Sequence, residues 1–502
     1  MAVSSAVAAS AVARVVGIKT TFKDLRGGGV LFLPQRIAVV GQGSSSVVYP
    51  TTKRQVTSAS EAATIYGFGS PIHLATKQLL PVNGDGVGTI PVTIYPMVDD
   101  GSGAAAAGDI TPAGVQTESA AYRVRVSNID SEQFVIAAAD TVATIVTAMA
   151  AAINAVLDMP VIATDATPGT STELGLTSKW KGESANLMTV EVVGSTTAGT
   201  TFGITQMAGG LVNPDVDDAL NQVGGVWETM VLSCLNTADG DNLDKFQVFG
   251  EGRWGALVRK PLVVFTGTIL TTVDDATTIP DARKTDRVNS QLIAPGSTDL
   301  TFVVAARQLA RIAVVANDNP PQDYGSQAAT GLTPGADGVQ WTYIDRDVAI
   351  KKGSSSIEVR DGVVNVADVV TFYHPTGDPI PAYRYVCDIV KLQNIIFNLD
   401  LIFATAEWDG APLIPDNQPT VNRSAKKPKT AKGAVAALTD SLALNALISD
   451  PETAKNSILA QINEQNPKRL DLSVTYQLSG NTNIISVDLD FGFFFGTATL
   501  VA

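Results

Sequence analysis

Strand-like and helical segments alternate along residues 211–317, and this alternation constrains the fold more than any other feature of the chain. Two largely apolar runs, at 229–235 and 262–266, are each followed by a segment with helical spacing. A further strand is expected at 289–293, before a helix at 300–317. Strands that are apolar on both faces belong to parallel sheets, whose neighbouring strands are joined by helices. The sequence therefore predicts a multidomain fold of the α/β and α+β classes, in which this region forms βαβ units of a mostly parallel sheet.

The length of the chain, 502 residues, requires several domains. A single hydrophobic core stops growing at roughly 250–300 residues. A Gly/Ala-rich stretch at 99–110 and a Gly-Gly pair at 209–210 bracket a region of different composition, and insertions at loops cost little entropy. The predicted organisation is an N-terminal arm at 1–25, the first part of the α/β region at 26–98, an inserted, mainly-β domain at 99–210, an α/β domain at 211–345, a C-terminal domain at 346–483 and a C-terminal arm at 484–502.

The spacing of apolar residues also predicts the elements of the C-terminal third. Helices are expected at 383–406, 431–448 and 451–463. Strands are expected at 348–351, 357–360, 363–365, 470–478 and 484–494.

The bulk composition argues against several classes of function. The formal net charge is −14 and only 17% of the residues are charged, whereas nucleic-acid binding needs a basic surface. The two histidines, His73 and His374, lie in no recognisable motif, so the usual acid–base group near neutral pH is scarce. Cys234 and Cys387 each lie in an apolar run and fit buried free thiols better than a disulfide or zinc site. We therefore predict no catalytic residue, no metal site, no cofactor and no nucleic-acid partner.

Hydropathy predicts a protein that does not insert into a membrane. No run approaches the ~18 continuous apolar residues that a membrane helix needs. The N-terminal segment also lacks the charged start of a signal peptide, so we expect synthesis in the cytoplasm.

Two local patterns allow either a structural or a functional interpretation. The run Gly41-Gln-Gly43-Ser-Ser-Ser46 follows a predicted strand, where a phosphate loop would lie. It lacks the third glycine and the Gly-Lys-Ser/Thr motif, so a structural turn is favoured. The acidic clusters depart from the calcium-loop pattern and suit helix starts, where carboxylates cap backbone N–H groups. They are Asp215, Asp217 and Asp218, and Asp239, Asp241 and Asp244.

Five basic residues lie within ten positions near the C-terminal end of this acidic chain. They are Arg423, Lys426, Lys427, Lys429 and Lys432. They form either a solvated linker or a contact with an acidic partner surface, which electrostatics would steer and orient.

Segments with strand patterns occur towards both ends of the chain. Residues 13–23 alternate imperfectly, and residues 484–489 alternate before four phenylalanines. Such a strand either pairs within its own sheet or adds to the open edge of a neighbouring copy, where backbone hydrogen bonds supply affinity. An internal hairpin is the simpler interpretation for 470–494, and exchange with a neighbour is at least as well supported for 496–502. Extended segments towards both ends could link subunits, so the exchange interpretation predicts a self-assembling structural protein.

Four runs carry a resemblance to a known family. They are VARVVGIKTTFKDLRGGG at 12–29, LPQRIAVVGQG at 33–43, TGLTPG at 330–335 and LSGNTNIISVDLDFGFFFG at 478–496. With these runs the chain resembles the contractile tail sheath proteins of Mu-like bacteriophages. The resemblance extends in order and length over the whole chain, and residues 100–210 are its least distinctive part.

The resemblance implies a structural subunit and not an enzyme. Such subunits polymerise as a helical sleeve around the tail tube and contract, which drives the tube through the host cell envelope during genome delivery. The implied partners are further copies of the chain, bound through strand exchange, the tail tube protein, and the baseplate and tail terminator proteins. The implied location is the virion tail, after assembly in the host cytoplasm. The inserted domain would lie outside, and residues 346–483 would face the tube.

The resemblance also implies roles for individual residues. The inter-subunit arms would use Arg14, Val16, Ile18, Thr20, Phe22, Ile484, Val487, Leu489, Phe491, Phe493, Phe495 and Leu500. The sheet that receives an arm would include residues 470–478, and the five basic residues are the candidates for tube contact, on the ground of charge alone. The alternative is the sheath of a related contractile injection machine, such as a bacteriocin or a secretion system. An enzyme built on 211–317 would need a convergent polar site, which the sequence does not offer.

Overall fold

A computed structural model describes residues 30–492. The chain divides into two units, which we call the main unit and the second unit. The main unit contains residues 32–397 and the described residues from 478 on, and the second unit contains 398–477 with residues 30–31. The finer division into six segments stays a prediction.

The main unit holds most of the elements. Its strands are β1 Ile37–Gln42, β2 Arg54–Val56, β3 Val92–Met97, β4 Ala105–Ala113, β5 Ala120–Val126, β6 Ile129–Asp130, β7 Phe134–Ile136, β8 Val161–Thr164, β9 Leu174–Lys181, β10 Val190–Gly194, β11 Thr201–Ala208, β12 Met230–Asn236, β13 Val263–Thr268, β14 Asn289–Ile293, β15 Ser356–Arg360 and β16 Val363–Asp368. Its helices are α1 Ala59–Tyr66, α2 Pro71–Leu79, α3 Val142–Asn154, α4 Asp217–Asn221, α5 Gly240–Arg253, α6 Val273–Ala282, α7 Thr301–Asp318, α8 Tyr343–Lys351 and α9 Val386–Phe403, with 3₁₀ turns at Glu183–Leu187 and Asp337–Val339. The boundary between the two units falls within α9.

The second unit follows along the chain. It contains α10 Pro428–Leu444, β17 Ile448–Ser449, α11 Pro451–Ser457, β18 Leu459–Ile462 and β19 Leu470–Ser473, and β20 Gln477–Leu478 lies at its end.

The core of the main unit is a six-stranded sheet in the order β14-β13-β12-β1-β3-β2. The first five strands are parallel, and β2 pairs antiparallel with β3 at the edge. Every residue of these five parallel strands is buried, as expected for a sheet covered on both faces. Helix α7 packs against β12 and β13 and buries Phe302, Leu309 and Ile312. The prediction of a mixed α/β fold with a mostly parallel sheet is confirmed.

The strand order reverses between β3 and β12, with β1 in the middle, and the carboxyl ends at such a point often bind ligands. Here that edge is closed by internal bonds. The Gln42 Nε2 atom donates to Asp99 Oδ1 at 2.6 Å and to the Lys181 carbonyl oxygen at 2.8 Å. The Gly43 N–H donates to the Tyr49 hydroxyl at 3.1 Å, and a Cβ on Gly43 would lie 2.3 Å from the Tyr49 ring. The glycine-containing run is therefore a structural turn, as the sequence favours.

Residues 104–211 leave the central sheet and return to it at one place. The Ala104 N–H donates to the Leu211 carbonyl oxygen at 3.0 Å, so the two ends lie side by side. Between them are two antiparallel sheets, one of order β11-β4-β9-β8 and one built from β10, β5, β6 and β7, with α3 packed against them. This arrangement suits a segment inserted at a loop.

Four predicted elements differ in the structure. The single strand expected at 470–478 is divided into β19, which pairs with β18, and β20, which pairs with β17. Residues 348–351, expected as a strand, belong to α8, because the side chains and backbone N–H groups of Thr342 and Asp345 form a capping box that starts a helix there. The helix expected at 451–463 ends at Ser457, and β18 begins at Leu459, where it pairs antiparallel with β19. The strand expected at 484–494 is wrong over its described part, because residues 484–492 adopt neither helix nor strand.

The structure also shows the state of the two cysteines and the hydropathy of the helices. Cys234 and Cys387 are buried free thiols, as predicted. Within residues 30–492, no helix is long and apolar enough to cross a membrane.

Candidate assembly surfaces

Residues 479–492, which we call the C-terminal segment, begin with a fixed root. Lys391 on α9 has a fully buried side chain, and its ammonium donates to the Ser479 carbonyl oxygen at 2.7 Å and to Asn481 Oδ1 at 2.6 Å. The Asn481 amide in turn donates from Nδ2 to the Pro321 carbonyl oxygen at 2.8 Å. The root of the segment is thus held by polar bonds to two parts of the main unit.

Beyond the root, the C-terminal segment exposes its apolar side chains. Val487, Leu489 and Phe491 are 78%, 80% and 84% exposed. They alternate with Asp488 and Asp490, so a strand formed here would carry its apolar groups on one face and its carboxylates on the other. A row of exposed apolar groups with this period is characteristic of a strand whose partner lies elsewhere.

The structure places the proposed arm residues in two groups. Ile484, Val487, Leu489 and Phe491 lie in the exposed C-terminal segment. The remaining candidates lie outside the described residues; they are Arg14, Val16, Ile18, Thr20, Phe22, Phe493, Phe495 and Leu500.

The second unit offers open strand edges. Strands β18 and β19 form an antiparallel pair with the register Leu459↔Ser473 to Ile462↔Leu470, and no described strand pairs with either outer edge. Leu459 is 69% exposed. A two-stranded sheet is marginally stable in water, so an added strand would complete it. This pair includes the first part of the receiving sheet proposed from the sequence, residues 470–478.

The five basic residues separate into two kinds. Lys426 and Lys427 are half-buried and bonded locally. The Lys426 ammonium lies 3.0 Å from Glu407 Oε2 and 5.2 Å from the centre of the Trp408 ring, and Lys427 donates to backbone carbonyl oxygens of residues 416 and 418. These two lysines therefore serve the local fold of the second unit.

Arg423, Lys429 and Lys432 are exposed. Lys429 and Lys432 lie at the start of α10, which begins at Pro428. Positive charge at a helix N-terminus opposes the helix dipole, so these lysines do not stabilise α10 electrostatically.

Both histidines make structural bonds inside the main unit. The His73 Nδ1 atom accepts from the Gly69 N–H at 3.0 Å, and burial lowers the pKa of His73 to about 4. The two ring nitrogens of His374 lie 2.7 Å from the Phe372 carbonyl oxygen and 3.1 Å from Asp281 Oδ1, and the His374 bond lowers the pKa of the Asp281 carboxyl. Each imidazole therefore stabilises the local fold through its hydrogen bonds.

The acidic clusters act mainly as caps and ion pairs. Asp239 caps α5 by accepting from the Asn242 N–H at 3.1 Å. Asp215 accepts from the Asp217 N–H and pairs with Lys245, and Asp244 pairs with Arg283. Asp215 does not cap α4 itself, because the N-cap position there is Val216. No group of His, Cys, Asp and Glu side chains in the described part of the chain is arranged to hold a metal ion.

The sequence interpretation missed the pair formed by Lys391 and Asn481. A lysine in the apolar run VCDIVKLQNII of α9 was a signal, because a lysine on a buried helix face needs acceptors. Asp388, three residues earlier, is one acceptor, but the sequence could not show that the other two lie 88 and 90 residues further along the chain.

Comparison with known proteins gives one relative by sequence and several by structure. No family model matches the chain. The Mu-like prophage FluMu tail sheath protein of Haemophilus influenzae is 22% identical over 428 residues, which cover 83% of this chain and 84% of that protein. A sheath tail protein from Desulfitobacterium hafniense aligns over 92% of this chain and 100% of that chain, with 12% identity and a TM-score of 0.44.

Two further structures also align over most of this chain. A sheath tail protein from Listeria innocua covers 90% of this chain and 94% of that chain, with 12% identity and a TM-score of 0.47. A chain of the anti-feeding prophage baseplate in its contracted state covers 95% of this chain and 99% of that chain, with 9% identity and a TM-score of 0.49. The alignment with the Haemophilus protein runs through most of both sequences, and it confirms the resemblance: this chain is a homologue of a Mu-like prophage tail sheath protein.

Proposed function

We propose that this chain is the subunit of a contractile tail sheath. Its copies polymerise around the tail tube, and contraction of the polymer drives the tube through the host cell envelope during genome delivery. The name of the Haemophilus homologue supports the sheath role. In this proposal the protein is structural and not an enzyme, it is assembled in the host cytoplasm, and it becomes part of the virion tail between baseplate and tail terminator proteins.

The single observation that carries the proposal is the exposed C-terminal segment. Its apolar side chains alternate at strand spacing and are exposed among residues 30–492. A strand of this kind is stable when it adds to an open sheet edge, because its backbone groups then pair and its apolar face is buried. The outer edges of the β18–β19 pair in a neighbouring copy are the proposed acceptor.

Strand exchange suits a lattice that changes shape. A chain segment that is anchored in one copy and paired in the next keeps the two copies connected while their bodies move. Residues 1–25 are proposed as the matching arm at the other end of the chain, with the arm residues named above. The free energy for contraction would be stored at assembly and released as the copies gain contacts.

The exposed basic residues are the proposed tube contact. Arg423, Lys429 and Lys432 are accessible, whereas Lys426 and Lys427 are bonded within the second unit. All five were candidates on charge, and the proposal now depends on the three exposed ones. An acidic surface on the tube protein would be oriented by them during assembly.

Electron microscopy of the purified full chain tests the sheath role directly. We expect helical tubes or sleeves at high protein concentration. A chain that stays a monodisperse monomer at every concentration would contradict the proposal.

A matched pair of substitutions tests the role of the C-terminal segment. Leu489→Asp places a charge on the apolar face, and Asp488→Asn changes the neighbouring residue on the opposite face. Burial of one such apolar side chain contributes about 1.5–3 kcal/mol, so Leu489→Asp should raise the critical concentration for polymerisation roughly 10- to 100-fold. Asp488→Asn should polymerise like the wild type. Equal polymerisation by both variants would show that this face is not buried in the polymer.

Charge reversal tests the tube contact. The triple variant Arg423→Glu, Lys429→Glu, Lys432→Glu, polymerised above its own critical concentration, should sediment with purified tube protein much less than wild-type polymers do. The control Arg123→Glu changes an exposed arginine on β5 and should leave tube binding unchanged. Wild-type tube binding by the triple variant would remove these residues from the interface.

A further inference from the structure

The first residues of the C-terminal segment bind the buried ammonium group of Lys391. The Lys391 side chain is 0% exposed. Its ammonium has three donors, and three acceptors surround it: Asp388 Oδ1 at 2.9 Å, the Ser479 carbonyl oxygen at 2.7 Å and Asn481 Oδ1 at 2.6 Å. A buried ammonium is tolerated only when its charge is paired and its donors are satisfied. Two of the three acceptors come from the C-terminal segment.

The contact also accounts for the amide group of Asn481. Its oxygen accepts from Lys391, and its nitrogen donates to the Pro321 carbonyl oxygen at 2.8 Å. The Cys387 thiol lies against the same oxygen, 3.7 Å away. One asparagine therefore connects α9, the loop after α7 and the C-terminal segment.

The transition from held to exposed chain is abrupt. Asn481 is half-buried, whereas every residue from Thr482 to Gly492 is exposed. The Asn483 side chain also hydrogen-bonds to Tyr385, and the exposed apolar residues start directly after it, at Ile484. From Asn481 to Phe491 the extended chain spans about 33 Å, so the anchor limits how far that row can reach.

We propose that Lys391 and Asn481 form a clamp that sets the point from which the C-terminal segment leaves the main unit. This inference rests on the proposed function, in which the segment pairs with a neighbouring copy. The clamp transmits tension between the copies to α9 and the central sheet, and it keeps the free part of the segment short. A short, anchored tether gives a high effective concentration at the neighbouring edge, whereas a longer, loose one lowers it. Both residues are positioning residues, because neither touches the neighbouring edge.

Limited proteolysis of the dilute monomer with chymotrypsin tests the clamp. The wild type should be cut first in the exposed part, after Leu489 or Phe491, with little cleavage after the anchored Leu478. Lys391→Met removes the ammonium and keeps a side chain of similar length. Cleavage after Leu478, quantified by mass spectrometry, should rise at least about tenfold, the factor that corresponds to one charge-assisted hydrogen bond.

A second variant guards against a general folding defect in Lys391→Met. Asn481→Ala removes the contact from the segment side and leaves the Lys391–Asp388 pair in place, and it should increase the same cleavage. The control Thr482→Ala changes the next residue, which is exposed, and should match the wild type. If Asn481→Ala is cut only after Leu489 and Phe491, as the wild type is, the clamp is refuted.

Polymerisation of the same variants shows whether the clamp or the proposed sheath function is wrong. If the wild type forms no tubes but Asn481→Ala releases the root, the clamp stands and the proposed function fails. If the wild type forms tubes and Asn481→Ala has an unchanged cleavage pattern, the function stands and the clamp fails. If both are correct, Asn481→Ala should need at least about tenfold more protein to polymerise, whereas Thr482→Ala should not.

Discussion

Gly267 in β13 is a residue at which the fold leaves no room for a side chain. A Cβ there would lie 1.8 Å from the Thr301 carbonyl oxygen and 2.6 Å from its carbon, which are backbone atoms at the start of α7. We expect Gly267→Ala to destabilise the protein by about 3 kcal/mol or more, because the helix must move away from the sheet. Urea unfolding measures the effect. The control is Gly203→Ala in β11, where the nearest atom would be 3.7 Å away, and its stability should change by less than about 1 kcal/mol. Similar losses in both variants would contradict this account.

His73 should make stability depend on pH. Burial lowers its pKa to about 4 in the folded protein, against about 6.5 in an unfolded chain. The unfolded state therefore binds more protons between these values, and the free energy of unfolding falls as the pH drops from about 6.5 to about 4. The full effect is about 3 kcal/mol. In His73→Gln, unfolding measured over this pH range should lose that component of the slope. A slope equal to that of the wild type would show that other groups cause it.

Residues with local partners were predictable, and residues with distant partners were not. Asp239 caps a helix that starts beside it, so its role followed from position alone. The buried thiols followed from the apolar runs around them. Asp388, one acceptor of Lys391, lies three residues earlier on α9, but the other two come from residues 479 and 481, and no local pattern indicates which distant carbonyl oxygen or amide will approach a buried ammonium.

Helix α8 shows how a cap can decide the identity of an element. The Thr342 side chain accepts from the Asp345 N–H, and the Asp345 carboxylate accepts from the Thr342 N–H at 2.9 Å. These bonds also lower the pKa of the Asp345 carboxyl. We expect Thr342→Ala to cost about 1 kcal/mol in the free energy of unfolding, whereas Thr342→Ser keeps the hydroxyl and should cost much less. Equal losses in urea unfolding would rule out a capping role.

The elements that sequence patterns misassigned are those in which two signals compete. The run VAIK at 348–351 alternates like a strand, but the capping box before it nucleates a helix. Residues 451–463 have helical spacing, but the chain turns extended at Ile458 because Leu459–Ile462 pairs with β19. Residues 484–492 have the spacing of a strand but no described partner, and a strand forms only when its backbone groups are paired. Pairing with a distant strand, or with another molecule, cannot be deduced from the spacing itself.

On the scale of the whole molecule, the parallel sheet was predictable and the division into units was not. Apolar strands separated by helices indicate a mostly parallel sheet, but they do not give the order of its strands. Residues 478–492 belong to the main unit, where Ser479 and Asn481 accept from Lys391, and no local pattern in the sequence indicates these contacts. The isolated chain also leaves an apolar strand pattern exposed. An exposed apolar row of this kind marks an interaction surface, and in the proposed function the sheet edge of a neighbouring copy covers it.

The charge of the molecule predicts opposite salt responses for its two proposed contacts. Each copy carries a net charge of −14, so copies repel one another as they polymerise, while the exposed part of the C-terminal segment contributes mainly apolar burial. Raising NaCl from about 0.05 M to about 0.5 M shortens the screening length, so the critical concentration for polymerisation should fall. Binding of preformed polymers to purified tube protein depends on attraction to Arg423, Lys429 and Lys432, and it should weaken over the same range. Sedimentation of the protein alone measures the critical concentration, and sedimentation with tube protein measures tube binding. The triple charge-reversal variant carries a net charge of −14 − 6 = −20, so salt should lower its critical concentration more steeply than that of the wild type, while its tube binding stays weak at every salt concentration. A parallel loss of polymerisation and tube binding with salt would mean that charge attraction, and not the apolar segment, holds the copies together.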